Sequence, residues 1–391
     1  MKIIHTSDWH FGKKLEGIKR IEEQKKFIET FVKIIEHESP KIILIAGDIF
    51  DTVNPSAEAE TLFYQSIKKI SKDGNRAVII IPGNHDNSER LAASASLAKE
   101  FGIIIYEKPF EIKEVGKYGN FEIIASDKGS ITIEIHGEKI YIYSLPYPSP
   151  IALNISFEEV NYSEKIGEIL SEGIKNKPLN IPGIILTHLF VTGSSGDGDE
   201  RNIELGGSLG VQLNDLPDID YIALGHIHRS MKFEKKRAYY SGSPIEYRSS
   251  ENKYEKKVFV AELKGNLKTE VKEIILENYK PIKSYTVLSG EEAVELSQKL
   301  IQNEEWIYLT IRTNRYLTGE EIRKIKENKN IVQIIPEFES TLESTTKVSK
   351  NHLDYSKMDS KPLFIDFYKN DDGVEPNKEL VELFLKMVGD E

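Results

Sequence analysis

Carboxylate, imidazole and amide side chains follow five separate apolar runs along the chain. Each run is short and rich in β-branched residues, as buried strands are, and the polar groups come within a few residues of its end. Because the carboxyl ends of strands in an open α/β sheet meet in one crevice, we expect these groups to lie together. They are Asp8 and His10; Asp48 and Asp51; Asn84, His85 and Asp86; His188; and His226 with His228.

This set of side chains predicts a metal centre. Taken singly, a histidine at a strand end is usually a hydrogen-bonded structural residue, and Asn or Asp after Gly usually forms a turn. Together, oxygen and imidazole groups without sulfur suit manganese, zinc or iron, and the chain has no cysteine. The groups exceed what one ion needs, whereas two ions about 3.5 to 4 Å apart that share a carboxylate would use them. Gly47, Gly83 and Gly225 leave room for close approach.

The composition is that of a globular protein, and 391 residues suggest two or three domains. The net charge of -11 argues against a surface that binds nucleic acid everywhere, because phosphate contacts need clustered Lys and Arg. Residues 230–257 are locally basic, with eight basic and four acidic residues and four interleaved tyrosines. This stretch is either a DNA-facing surface or a solvated pair of hairpin strands.

The sequence shows no signal for secretion or for insertion into a membrane. The N-terminus lacks the apolar region of a secretory signal, and no apolar run approaches the roughly 18 residues of a membrane span. The absence of cysteine fits a reducing compartment. We therefore expect a cytoplasmic protein without membrane contact.

The organisation along the chain changes near residue 274. Before it, apolar runs such as 41–46, 77–81, 183–186 and 221–224 alternate with helical patterns, which is typical of a layered α/β fold. Residues 283–337 then follow a strand, helix, strand, helix, strand pattern. Residues 339–361 are rich in Ser, Thr and Lys, as linkers are. A final amphipathic helix from about Asn377 either folds back on its own domain or fills a groove on another protein.

The ordered motifs DWH, GDIFD, GNHD, TH and GHIH resemble those of the calcineurin-like metallophosphoesterase superfamily. The longer strings HTSDWHFGK, PGNHDNSERL and DYIALGHIHR are similar to its double-strand-break repair nucleases, and the similarity covers nearly the whole chain. It implies a four-layer α/β fold, a β-sandwich flanked by helices, with a small α+β capping domain and a C-terminal helical tail. The implied units are residues 1–275 (nuclease), 280–338 (DNA-binding cap), 339–361 (linker) and 362–391 (partner-binding tail).

The resemblance also implies roles for individual residues. His85 would stabilise the transition state or protonate the leaving oxygen, with the Asp51 carboxylate holding its ring. Independently of the resemblance, the position of Arg90 directly after the GNHD turn means that it either touches phosphate or forms a salt bridge on a helix. One metal would be bound by Asp8, His10, Asp48 and His228, and the other by Asp48, Asn84, His188 and His226.

The activity implied by the resemblance is a manganese-dependent DNA nuclease, a 3′–5′ exonuclease on duplexes and an endonuclease on single strands and hairpins. The chain contains no G-x-x-x-x-G-K-[ST] loop, so any dependence on ATP would come from a partner. The resemblance implies that this partner is an ABC-type ATPase with a coiled coil. A homodimer would form through helices at about 56–70 and 88–101. Two alternatives stay open: a metallophosphatase for small phosphoesters or nucleotides, and a DNA-bridging scaffold with a structural metal site.

Overall fold

The computed structural model describes residues 1–156, 160–192 and 209–338, a few positions from 361 to 376, and the helix Lys378–Val388. Residues 1–339 form one compact unit and residues 340–391 a second. The predicted linker, apart from Lys361, lies outside the described residues, as do most of residues 362–377 of the predicted tail. Among the described helices, none is long and apolar enough to cross a membrane.

The described strands are short, as expected for a layered α/β fold. In chain order they are β1 (Lys2–Thr6), β2 (Lys14–Leu15), β3 (Ile18–Lys19), β4 (Ile42–Ala46), β5 (Ala77–Ile81), β6 (Ile103–Ile105), β7 (Gly116–Tyr118), β8 (Phe121–Asp127), β9 (Ser130–Ile135), β10 (Glu138–Leu145), β11 (Gly183–His188), β12 (Tyr221–Gly225), β13 (Met231–Phe233), β14 (Ala238–Tyr240), β15 (Lys257–Leu263), β16 (Thr269–Ile275), β17 (Ile282–Val287), β18 (Trp306–Thr313) and β19 (Ile331–Phe338).

The described α-helices lie mainly between the strands. They are α1 (Ile21–Glu38), α2 (Ala57–Ser71), α3 (Ser88–Ala92), α4 (Ala95–Lys99), α5 (Pro150–Leu153), α6 (Tyr162–Ile174), α7 (Gly290–Lys299), α8 (Gly319–Ile325) and α9 (Lys378–Val388). The strands and helices predicted from the apolar runs are therefore confirmed to within a few residues.

Two large sheets form the centre of the first unit. One has six strands in the order β16-β15-β1-β4-β5-β6, and β1, β4, β5 and β6 run parallel. The other has eight strands in the order β13-β14-β12-β11-β10-β9-β8-β7, with β10, β11, β12 and β14 parallel. Parallel strands in both sheets explain why polar groups at successive strand ends gather in one place.

The apolar residues of each strand alternate between two cores, as the strand period requires. In β4, Ile42, Leu44 and Ala46 face the other sheet, whereas Ile43 and Ile45 pack against α1 and α2. Helix α6 covers the outer face of the eight-stranded sheet. The result is the predicted four-layer arrangement of helix, sheet, sheet and helix.

Residues 280–338, predicted from the resemblance to be a capping domain and here called the capping unit, have their own sheet. Its three parallel strands lie in the order β17-β18-β19, with α7 and α8 as the connections, which confirms the predicted element order. Its contacts with the rest of the first unit are polar as well as apolar. Trp306 Nε1 donates to Glu23 Oε1 at 2.6 Å, and Tyr308 Oη donates to Glu16 Oε1 at 2.9 Å.

The second of the two expected dimer helices differs from the prediction. The structure contains α2 where residues 56–70 were expected, but residues 88–101 form the two short helices α3 and α4 rather than one. At the break, the amide of Ala93 bonds to the carbonyl of Arg90, three residues back, which tightens the last turn of α3. The single-helix prediction was wrong because its pattern carried no signal for this turn.

In the C-terminal unit, helix α9 begins one residue after the predicted start at Asn377. Phe364 stacks on Phe384 with ring centroids 4.1 Å apart, so the apolar cluster before the helix packs against it. Leu383 remains 56% exposed. This unit therefore pairs one apolar face internally and leaves another apolar side chain exposed.

Candidate metal centre

The predicted polar residues meet at the carboxyl ends of five strands. Asp8, Asp48 and Asn84 follow β1, β4 and β5 of the six-stranded sheet, whereas His188 ends β11 and His226 follows β12 of the other. Backbone hydrogen bonds join the first two loops, from Asp8 N to Gly47 O and from His10 N to Asp48 O, each 3.0 Å long. The two sheets therefore contribute jointly to one cluster.

The backbone at this cluster is unusual. Asp8, His10, Asp48 and His226 have φ values of 53°, 43°, 51° and 106°, in the region that side chains other than glycine rarely adopt. Such conformations persist only where the surrounding structure imposes them, and they are concentrated at functional sites. Here they turn the side chains of four predicted ligands toward one point.

The three glycines beside the ligands are needed for close approach, as predicted. A Cβ on Gly47 would lie 2.3 Å from His188 Nδ1, and one on Gly83 would lie 2.1 Å from Asp48 Oδ1. A Cβ on Gly225 would lie only 1.7 Å from the carbonyl oxygen of Ala46. The ligand-bearing loops could not pack together with larger residues at these positions.

One group of side chains consists of Asp8, His10 and His228, whose ligand atoms all lie within 4.8 Å of one another. The Nε2 atoms of His10 and His228 face each other at 3.0 Å. Asp8 is buried and accepts hydrogen bonds from Ser7 Oγ and from the amide of His226. Burial raises the pKa of the Asp8 carboxyl to about 6, so the protein does not fully compensate its negative charge.

A second group surrounds Asn84. Its Oδ1 lies 3.0 Å from His188 Nε2 and 3.0 Å from His226 Nδ1. His188 and His226 are buried, and their rings pack edge to face with centroids 5.3 Å apart. These three side chains are the predicted ligands that the second metal does not share with the first.

Asp48 lies between the two groups. Its Oδ2 is 3.5 Å from His10 Nε2 and 3.5 Å from His188 Nε2. Its Oδ1 accepts a hydrogen bond of 3.0 Å from the amide of His85. One carboxylate oxygen therefore contacts a predicted ligand nitrogen of each group, as a bridging residue must.

The donor set fits divalent cations. His188 Nδ1 donates to the carbonyl of Ala46 at 2.8 Å, while its Nε2 faces the Asp48 carboxylate, which only accepts hydrogen bonds. Either Nε2 is also protonated or a cation lies between the two groups. Burial is the largest single effect and lowers the pKa of His188, but the charge and hydrogen bond of Asp48, the charge of Asp8 and the Ala46 carbonyl together raise the pKa to about 9. A bound cation would satisfy both groups without the extra proton.

His85 lies next to this cluster, but its partner differs from the expected one. Its Nδ1 donates to the backbone carbonyl of Asp51 at 3.0 Å, not to the Asp51 carboxylate. That carboxylate accepts from Lys13 Nζ at 2.6 Å and lies 3.5 Å from His10 Nδ1. The Asp51 backbone therefore fixes the His85 ring, whereas the Asp51 carboxylate bonds to Lys13 and lies within 4.8 Å of ring nitrogens of His10 and His85. The role of the Asp51 side chain at His85 stays a prediction.

Two further carboxylates, those of Asp86 and Glu251, hold the cluster in place. The sequence indicated only the first of them. Asp86, in the GNHD motif, accepts from the amides of Ile49, Phe50 and Gly83 and so ties the Asp48 loop to the Asn84 loop. Glu251 accepts from His228 Nδ1 at 2.9 Å. Sequence reasoning missed Glu251, since nothing in the sequence indicates which carboxylate folds against His228.

Arg90 and three of the tyrosines in residues 230–257, considered above as possible DNA contacts, are engaged elsewhere in the structure. Arg90 Nε donates to Glu60 Oε1 at 2.8 Å, so it forms a salt bridge between helices α3 and α2. In the basic stretch 230–257, Tyr239, Tyr240 and Tyr247 are buried. These tyrosines belong to the packed strands and loops of the first unit and do not form an aromatic surface for bases.

The fold and the site define a metallophosphoesterase, a hydrolase that depends on divalent metals. Residues 1–230 match the family of calcineurin-like phosphoesterases. Over 402 aligned residues the chain is 34% identical to SbcD, the D component of the nuclease SbcCD of Bacillus subtilis (strain 168), and the alignment covers 99% of this chain and 97% of that protein. The chain therefore belongs to the calcineurin-like phosphoesterases and, within them, to the SbcD family.

Two solved structures are also similar at low identity. The TT1561 protein of Thermus thermophilus has 13% identity and a TM-score of 0.35, covering 69% of this chain and 97% of that chain. A dimetal phosphatase from Danio rerio has 10% identity and a TM-score of 0.34, covering 69% and 98%. Likeness at this level carries no information about function.

The contact at Gly225 leads to the first testable prediction. Gly225→Ala should displace His188 and weaken Mn²⁺ binding, with a loss of stability of about 1–3 kcal/mol from overpacking. The matched control is Gly319→Ala, because a Cβ there meets nothing within 4 Å. Calorimetric Mn²⁺ titration and chemical unfolding measure the two effects. Unchanged Mn²⁺ affinity in Gly225→Ala would contradict the importance of this close contact.

Proposed function

We propose that this protein is a two-metal DNA nuclease, the catalytic subunit of an ATP-driven complex that processes DNA breaks in repair and recombination. The observation that carries the proposal is the position of Asp48 Oδ2, 3.5 Å from a ligand nitrogen of each group. The Bacillus subtilis relative, which is named as a nuclease and is similar along its whole length, supports the choice of substrate.

The contacts support two ligand sets. We assign Asp8, His10, Asp48 and His228 to one ion and Asp48, Asn84, His188 and His226 to the other, with Asp48 shared. Manganese suits the mixture of oxygen and imidazole donors. When bound, such a pair of ions lowers the pKa of a water molecule and neutralises charge on the phosphoryl oxygens.

His85 acts on the leaving group in this proposal. Because Nδ1 donates to the Asp51 carbonyl, the ring is fixed, and in the protonated imidazolium Nε2 is the nitrogen that can give its proton to the leaving oxygen. Its ring packs edge to face on His10 at 4.9 Å, which keeps it beside the metal ligands. Asp51 contributes through its backbone carbonyl to His85 and through its carboxylate to His10 and Lys13.

Substrate selection would come from surfaces around the cluster. The capping unit, residues 280–338, would orient DNA over the metal centre, so that duplex ends are degraded 3′–5′ and single strands or hairpins are cut internally. Arg90 would reach a phosphate only by leaving Glu60, which makes it a weaker candidate. A metallophosphatase of small esters would share this chemistry but would have no need of a capping unit.

Assembly with other chains is part of the same proposal. The tail, residues 362–391, would dock an SbcC-type ABC ATPase with a coiled coil, and the exposed Leu383 offers an apolar contact on α9. Two copies would pair near α2, α3 and α4 within a heterotetramer. Such a complex would work in the cytoplasm. A scaffold that bridges DNA would use the same assembly, but it would have no need of a complete ligand set and an adjacent His85.

The division between metal ligands and His85 leads to the second prediction. In the purified chain with Mn²⁺, Asp48→Ala should lose bound metal and DNA cleavage together, because it removes the shared ligand. His85→Asn should keep its metal content and lose about 10²–10⁴-fold in turnover, the range for general acid–base catalysis. The measurements are cleavage of end-labelled duplex and hairpin DNA, and metal analysis by mass spectrometry.

A small chromogenic phosphodiester serves as the competing substrate in the same assay. Turnover of this ester without DNA cleavage would favour the phosphatase alternative. Full metal loading with no turnover of any substrate, also in the presence of the ATPase, would favour the scaffold. Loss of metal from His85→Asn would make His85 a ligand and contradict its assignment.

The tail leads to the third prediction. Deletion of the residues after Ser360 should abolish co-purification with the ATPase and leave Mn²⁺-dependent DNA cleavage by the free chain intact. Within the full-length chain, Leu383→Ala should weaken ATPase binding by more than about 1 kcal/mol if it is a central interface residue. Glu382→Ala, an exposed neighbour, is the control. Undiminished ATPase binding after the deletion would refute the docking role.

A further inference from the structure

We propose that residues 246–252, here called the junction segment, link the capping unit to the metal centre, so that the seating of the cap sets the affinity of the ion bound by His228. This inference rests on the proposed function, because it concerns one ion of the same metal pair. It assigns roles to Glu246, Glu251 and Asn252, which are positioning residues and not metal ligands.

Both ends of the junction segment bind the same cap residue. Glu246 Oε2 accepts a hydrogen bond of 2.7 Å from the amide of Ile282, the first residue of β17. Asn252 Nδ2 donates to the carbonyl of Ile282 at 3.3 Å. Glu246 is 5% exposed and Ile282 is fully buried, so the amide and the carboxylate depend on each other for pairing. A shift of the cap strand must therefore shift the junction segment.

Glu251, near the C-terminal end of the junction segment, holds the proposed metal ligand His228 in place. Glu251 is fully buried, and its Oε1 accepts from His228 Nδ1 at 2.9 Å. Its Oε2 accepts from Lys256 Nζ at 2.5 Å, from the amide of Tyr247 at 3.2 Å and from Ser243 Oγ at 3.3 Å. A buried carboxylate with both oxygens bonded cannot be moved without loss of several of these bonds.

The bond to Glu251 fixes the orientation of His228. Because Nδ1 donates to the carboxylate, the lone pair lies on Nε2, which faces His10 Nε2 at 3.0 Å. A carboxylate behind a metal-binding histidine sets its tautomer and ring angle, and its removal typically weakens metal binding about 10–100-fold. The path thus runs from Ile282 through the junction segment and Glu251 to His228.

Other contacts of the cap avoid this path and supply a matched control. Tyr308 Oη donates to Glu16 at 2.9 Å, also across the boundary between the capping unit and the rest of the first unit. Glu16 lies in the turn between β2 and β3, far from the junction segment in sequence. Tyr308→Phe therefore removes one cap hydrogen bond and leaves the path to His228 intact.

The test is calorimetric titration of the metal-free full-length chain with Mn²⁺, with melting temperatures recorded for each variant. Glu251→Gln should lower the affinity for one of the two Mn²⁺ ions about 10–100-fold. The new amide group places its own donor hydrogens against the donors Lys256 Nζ and Tyr247 N. Glu246→Ala should weaken the same ion by at least about 5-fold, the lower end of typical coupling between sites. Glu246→Gln should restore wild-type affinity, because its amide oxygen still accepts from Ile282.

Two further variants keep the test decisive if Glu246→Ala folds poorly. Asn252→Ala changes an exposed side chain, and it should weaken the same ion in the same direction. Tyr308→Phe should leave both Mn²⁺ affinities unchanged even where it lowers the melting temperature. Equal Mn²⁺ affinity in wild type, Glu246→Ala and Asn252→Ala, or equal weakening by Tyr308→Phe, would overturn the inference. A wild-type chain that fails to bind two ions would instead overturn the proposed metal centre.

Discussion

The burial of carboxylates and imidazoles together at the strand ends is the constraint on which the rest of the structure depends. Asp8, Asp48 and His188 lie buried with ligand atoms within 4.8 Å of one another, and Asp48 Oδ2 faces nitrogens on both sides. Taking such groups out of water is unfavourable unless they are paired or bind a cation. The fold must therefore supply both the burial and the counter-charge.

The supporting features all serve this convergence. Two sheets with parallel central strands direct their carboxyl ends toward one crevice, and Gly47, Gly83 and Gly225 let the loops approach within contact distance. Left-handed backbone conformations at four predicted ligands complete the geometry. These strained conformations persist only because the packed layers of the core hold the loops in position. The cap adds a further restraint on His228 through the buried carboxylates of Glu246 and Glu251.

The sequence predicted the strands and the meeting of the polar groups, because each apolar run ends shortly before its polar residues. The four layers were implied by the resemblance to the metallophosphoesterases. It could not predict contacts that depend on distant segments. Glu251 lies 23 residues from His228, with no pattern that joins them. Nor does the sequence indicate that Lys13 and His10 also contact the Asp51 carboxylate, which was expected at His85. The break between α3 and α4 and the burial of Tyr239, Tyr240 and Tyr247 likewise depend on packing.

Anomalous X-ray diffraction from crystals grown with Mn²⁺, recorded on both sides of the manganese absorption edge, tests directly whether Asp48 is shared by two ions. We expect two anomalous peaks about 3.5 to 4 Å apart, both in contact with the Asp48 carboxylate. Asp8, His10 and His228 should surround one peak, and Asn84, His188 and His226 the other. A single peak, or a pair of peaks without Asp48 between them, would contradict a shared two-metal centre.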